Sequence, residues 1–151
     1  MTKELKIRLY SKPEILARLK DIGAKYEGIS DTVHTYFNQP EGKVLKIVLK
    51  NGAAFVHKLR EENGFFLFDS REPVDDPNDE LARLELKYGI KNKQKMHAEL
   101  YSFKDYSIGL YDIEELGQFL ILDGDNPSVQ KLEDWLSIKD PEIITKSFAD
   151  L

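Results

Sequence analysis

Two stretches of this chain alternate charged and apolar residues with a period of two: Glu4-Leu5-Lys6-Ile7-Arg8-Leu9 and Leu45-Lys46-Ile47-Val48-Leu49-Lys50. That period belongs to a β-strand with one apolar and one charged face, and it is incompatible with a helix. Asn51-Gly52 then predicts a two-residue hairpin turn, with residues 54–60 returning beside the second stretch. Asn63-Gly64 predicts another turn into the aromatic strand that opens with Phe65, Phe66 and Phe68. Further strands are expected near residues 32–37, 95–101, 106–111 and 118–122. Short turns join most of them, so the sheet is expected to be mainly antiparallel.

Helical signals fall between these strands. Ser11 with Glu14 forms a capping-box pattern ahead of Ile15, Leu16, Leu19 and Ile22, and Gly23 stops the run. Asp76-Pro77 opens a second helix through Leu81, Leu84 and Tyr88 to Gly89. Asn126-Pro127 opens a third, with Val129, Leu132, Trp135 and Leu136 on one stripe, and Asp140-Pro141 is expected to open a short last helix ending at Phe148 and Leu151. With no linker or low-complexity tract, residues 1–151 read as a single α+β domain whose helices cover the apolar face of the sheet.

Charge narrows the function. The chain is acidic overall, at −5, yet residues 1–72 hold 13 Lys and Arg against 10 Asp and Glu, and residues 73–151 hold 9 against 17. A positive first half in an acidic protein concentrates cations locally, while the overall charge argues against nucleic acid as a partner. The absence of cysteine excludes disulfides, thiolate metal sites and cysteine nucleophiles. The alternating N-terminus is unlike a signal peptide, and no apolar run approaches a membrane span, so a soluble, cytoplasmic protein with no membrane partner is expected.

Strand parity gives the charged face. Its expected members are Glu4, Lys6 and Arg8 on the first strand, Lys46 and Lys50 on the second, Lys58 and Arg60 on the third, and then Arg71 and Glu72. If the sheet curls into a barrel, these cations crowd together, and a bound polyanion relieves their repulsion. Arg and Lys are the usual phosphate partners. A solvated face is the plain alternative for any one strand.

These residues resemble the CYTH proteins, or triphosphate tunnel enzymes, which include class IV adenylyl cyclases and thiamine triphosphatases. The resemblance spans nearly the whole chain. It rests on the charged first strand and capped helix ending in Gly23-Ala24, Thr35-Tyr36-Phe37, Leu45-Lys46-Ile47, Lys58, Ser70-Arg71-Glu72, the stretch from Ile113 to Phe119, and the ending Ser147-Phe148-Ala149-Asp150-Leu151. It implies an antiparallel eight-stranded tunnel with flanking helices. Basic residues there hold a triphosphate, and inward carboxylates hold Mg²⁺ or Mn²⁺.

The chain departs from that pattern where the family places acids. Lys6 stands in place of the second Glu of the family's Glu-x-Glu-x-Lys opening, and Tyr111 and Ile121 occupy two later acidic positions. The candidate metal ligands that remain are Glu4, Glu72, Glu99 and Asp123. Parity is expected to put His97 and Glu99 inside, because Met96, Ala98 and Leu100 form an apolar face. The candidate ligand-binding residues are Lys6, Arg8, Lys46, Lys50, Lys58, Arg60 and Arg71. The resulting expectation is a binder of a phosphorylated anion, of triphosphate or nucleotide class, without two-metal catalysis. The alternatives are an active triphosphatase or nucleotidyl cyclase using Mg²⁺ or Mn²⁺, and an interaction scaffold whose tunnel charges pair internally.

Overall fold

The computed structural model describes residues 2–151. Eight strands close into one antiparallel barrel: β1 (Lys3–Arg8), β2 (Lys25–Phe37), β3 (Lys43–Lys50), β4 (Ala53–Glu62), β5 (Phe65–Val74), β6 (Ile90–Phe103), β7 (Tyr106–Ile113) and β8 (Gly117–Gly124). Their order around the barrel is β1-β5-β4-β3-β2-β6-β7-β8. Asn51 and Gly52 both adopt positive φ, as the tight β3–β4 turn requires.

The outer apolar face is covered by helices. Leu5 and Ile7 of β1, with Ile108, Leu110, Leu120 and Leu122 of β7 and β8, pack beneath two helices. These are α1 (Lys12–Asp21), with Ile15 and Leu19, and α3 (Val129–Leu136), with Leu132 and Leu136. Leu84 of α2 (Pro77–Tyr88) covers Phe37, Leu45, Ile47 and Ala54 on the other flank. Asp76 caps α2 by accepting from the Asp79 amide at 3.1 Å. Ser11 makes no such side-chain bond at α1, so the expected capping box is not formed; Pro at the helix start fixes the first turn instead.

Two elements differ from expectation. β2 and β6 are longer than the apolar pattern suggests, because they pair as one continuous ribbon from Lys25–Ser102 to Phe37–Ile90, interrupted by irregularities near Gly28 and Phe37. Asp140-Pro141 opens no helix. The tail instead runs beside β1: the Arg8 amide donates to the Glu142 carbonyl at 3.0 Å, and the Ile144 amide to the Lys6 carbonyl at 2.8 Å. It can do so because β1 pairs with β5 only through Lys3 and Glu4, which leaves the rest of that edge free. Only Phe148–Asp150 turn helically, as one 3-10 turn.

A third apolar cluster lies inside the barrel. Val44, Leu59, Phe66, Met96, Ile113, Phe119 and Ile121 meet Ile144 and Phe148 of the tail there. No helix among the described residues is long and apolar enough to cross a membrane.

Leu132 is fully buried between α3 and the barrel, whereas Leu86 is 91% exposed on α2. Urea titration of Leu132→Ala is expected to show a loss of about 2–5 kcal/mol. Leu86→Ala should stay within about 0.5 kcal/mol of the parent.

Candidate functional site

Pairing registers decide which charged side chains enter the barrel, since directly opposed residues share a face. Counting back from the Lys50–Ala53 pair at the two-residue turn puts His57, and not Lys58, opposite Lys46. Tyr36 of β2 lies on the other side of Lys46, and Arg71 of β5 lies on the other side of His57. One interior rung therefore reads Tyr36–Lys46–His57–Arg71. A second rung carries Glu4 opposite Asp123, and Lys6 faces Ile121.

These rungs wall a small cavity of about 110 Å³. Lys6, Lys46 and Arg71 supply its cations and Glu4 an acid; His34, His57, Tyr36 and Tyr111 add polar groups, and Ile121, Phe66, Phe68 and Phe148 close it with apolar surface. Arg71 is exposed, and its guanidinium lies 4.5 Å from the centre of the Phe68 ring. Lys6 is 4% exposed. Its ammonium donates to the Lys146 carbonyl at 3.0 Å and lies 3.7 Å and 4.2 Å from the ring centres of Phe66 and Phe148. Among the described residues, neither Lys46 nor Arg71 has a carboxylate within ion-pair distance.

Crowded burial shifts the titration of these groups. Burial brings Lys6 down to about 7, against the opposing Glu4 charge and with a smaller contribution from Lys46. Lys46 falls to about 8 through burial first, Arg71 adding to the shift against Glu4. Burial, then Lys46 and Arg71, brings His57 down to about 3, and burial with Lys46 and His57 holds His34 well below its ordinary value. Both imidazoles are thus neutral at pH 7. His34 accepts or donates at 2.8 Å with the Thr32 hydroxyl, and its buried Nδ1 has no partner among the described residues. Asp123 rises to about 6 through burial and the neighbouring Glu4 charge. Tyr36 and Tyr111 are raised by burial and Glu4, so both phenols keep their protons.

Of the seven basic residues expected to meet a ligand, Lys6, Lys46 and Arg71 share this cavity. Arg8 faces inward at the tail end, where it pairs with Glu142 at 2.6 Å and lies over Phe119. Lys50 sits at the β3–β4 turn, away from the cavity wall. Lys58 and Arg60 lie on the outer face, contrary to expectation. Lys58 is exposed opposite Leu45, and Arg60 pairs with Asp69 and Glu62. The reason is the turn register, which turns Phe55, His57 and Leu59 inward.

The four candidate metal ligands are also divided. Glu72 is opposite outward-facing Val56. Glu99 is outside as well, paired to Lys12 at the start of α1 at 2.7 Å. The expected parity of β6 is inverted: Met96 and Ala98 face the apolar interior with Ile113 and Tyr111, and His97 pairs outside with Asp31 at 2.6 Å. Only Glu4 and Asp123 are brought together. Two carboxylates suffice for one Mg²⁺ or Mn²⁺ completed by ligand phosphates and water. They do not furnish a two-ion cage, and the described residues contain no group of three His, Asp or Glu arranged to hold a metal. A bound ion here would neutralise phosphate charge beside Glu4 and Asp123.

No sequence family matches this chain, and no curated protein does. Solved structures do. The PH1012 protein from Pyrococcus horikoshii OT3 superposes with a TM-score of 0.87 at 20% identity, covering 100% of this chain and 99% of that one. A candidate adenylate cyclase from Bacillus halodurans gives 0.69 at 13% identity, over 99% and 98% of the two chains. A Hippeastrum protein described as an adenylyl cyclase candidate with a dominant triphosphatase activity gives 0.62 at 12%, over 91% and 85%. The closed eight-stranded barrel and these likenesses show the fold: this chain is a CYTH-like α+β antiparallel barrel with flanking helices.

The lowered lysines set the sign of a pH dependence. Between about pH 7 and 9 the unfolded chain holds protons on positions 6 and 46 that the folded chain has begun to lose, so stability should rise with pH. Urea midpoints measured across that window should show the rise, and Lys6→Met should flatten it. A slope unchanged in that variant would contradict the assignment.

Proposed function

We propose that this protein binds a phosphate-class anion inside the barrel, against Lys46, His57 and Arg71, with Lys6 at the inner end. The supporting observation is the convergence of three cationic side chains on one cavity, two of them without an ion-pair partner among the described residues. Crowding these cations in a low-dielectric space is unfavourable, and an anion there offsets the repulsion while restoring the protonated form of each lysine. Arg71 offers a forked donor set and Lys46 a point charge, the two usual modes of phosphate recognition. Neutral His57 can add one N–H. The ligand belongs to the phosphate, polyphosphate or nucleotide class, and the partner is a small molecule rather than nucleic acid or membrane.

The scaffold reading requires internally paired tunnel charges, and the unpaired Lys46 and Arg71 weigh against it. Metal-dependent turnover is a second reading, favoured by one observation: Glu4 and Asp123 stand opposite each other beside the cationic wall. With Lys6, Tyr111 and Ile121 at acidic positions of the resembled pattern, two-ion phosphoryl transfer lacks its ligands, so turnover of ATP or tripolyphosphate with Mg²⁺ or Mn²⁺ should stay at background. Robust turnover abolished by Glu4→Ala or Asp123→Ala would instead establish the enzyme reading.

Binding is tested by thermal shift. Inorganic phosphate, pyrophosphate and tripolyphosphate are screened at low and high salt; at least one should raise the melting temperature, and salt should reduce the effect. Lys46→Ala and Arg71→Ala should each weaken binding by about ten-fold or more. Lys58→Ala, on the outer face, should leave it unchanged. Affinity should also fall as pH rises through about 8, where Lys46 loses its proton. Equal effects of Lys46→Ala and Lys58→Ala would sink the proposal.

A further inference from the structure

The tail lies between two cavities. Ser147 and Phe148 border the 110 Å³ cavity on one side. On the other side Ser147, with Lys146 and Ala149, borders a second cavity of about 530 Å³ that is lined by Lys43 and Lys91 together with the carboxylates Glu41, Glu61 and Asp150. Tyr36, Val44 and Phe66 border both, so the tail is the partition between the inner cavity and this second one, which is bounded by the loop between β2 and β3. The partition is well anchored. Phe148 is 5% exposed, packs on Phe119 with ring centres 4.9 Å apart, and its carbonyl accepts from the Gln94 amide at 2.8 Å. Asp150 pairs with Lys91 beyond it.

Lys6 connects this partition to the ligand site. Its ammonium lines the inner cavity, yet one of its donors is committed to the Lys146 carbonyl, and the Phe66 and Phe148 rings occupy the space around it. An anion entering past Arg71 meets Lys46 and His57 first and then the Phe148 ring. The space before that ring is well below the roughly 300–1,000 Å³ of pockets that enclose drug-sized ligands. From this geometry we infer that Phe148 determines the ligand length, so that the inner cavity takes an inorganic anion of one or two phosphates and a third phosphate finds no further cationic contact. The inference rests on the phosphate-binding reading above and adds the ligand class and the residue that enforces it.

Chain-length dependence tests this directly. Calorimetric affinities for orthophosphate, pyrophosphate and tripolyphosphate are measured on the wild-type chain and on Phe148→Ala, with a melting curve for each protein. In the wild type, affinity should rise from one phosphate to two, and the third should add less than about two-fold. In Phe148→Ala, which joins the two cavities and removes one of the two rings packed on the Lys6 ammonium, the third phosphate should add about ten-fold or more. Should Phe148→Ala unfold, Phe148→Leu keeps apolar contact with Phe119 and should shift the profile in the same direction. A wild type that binds tripolyphosphate about ten-fold more tightly than pyrophosphate would overturn the length limit and leave the phosphate reading intact. So would a folded position-148 variant with the wild-type profile. Absence of binding by all three anions to the wild type would overturn both.

Discussion

Closing a sheet of half-charged strands into a barrel forces each inward side chain to find a partner or lose its hydration. Much of the rest of this structure depends on that constraint. The outer face is ordinary, with leucine and isoleucine from β1, β7 and β8 under α1 and α3. The inner face is not. It places Lys6, Lys46 and Arg71 around a common space in which burial and mutual repulsion already bring two lysines to about 7 and about 8. Glu4 and Asp123 counter this only partly, because burial, and then the neighbouring Glu4 charge, raise Asp123 to about 6. A cavity with this arrangement is electrostatically incomplete, and the proposed anion would complete it.

The chain meets the same constraint differently at the other end. There the C-terminal segment enters the barrel and supplies what water would have supplied: a carbonyl from Lys146 and an aromatic face from Phe148 for the Lys6 ammonium, and a carboxylate from Glu142 for Arg8. The tail thus fills the interior with apolar bulk and satisfies two cations of the first strand. One end of the tunnel is consumed by the protein's own stability, and the other keeps unpaired charge available for binding.

Much of the fold was legible in the sequence because its signals are local. Period-two alternation marks β1 and β3, Asn51-Gly52 marks the turn from β3 to β4, and Asp76-Pro77 marks the start of α2. The site was less legible because it depends on parity across partners. The β4 error was avoidable: a two-residue turn pairs Lys46 with His57, which exposes Lys58 and turns the histidine inward. The β6 error was not, since an apolar face reads the same whether it meets a helix outside or a phenylalanine cluster inside, and only the tail's entry into the barrel decides between them. His34 is absent from the expected site for a related reason. Nothing local distinguishes an inward from an outward histidine on a polar strand, and its burial beside Lys46 follows from closure.

The central claim is that the inward cations Lys46 and Arg71, and not the outward Lys58 and Arg60, form the anion site. A crystal structure of the protein grown with pyrophosphate tests it most directly. The account predicts the anion inside the barrel, within hydrogen-bond distance of Lys46 and Arg71 and stopped at the Phe148 ring. An anion bound on the outer face at Lys58 and Arg60, with the interior cavity holding only water, would contradict it.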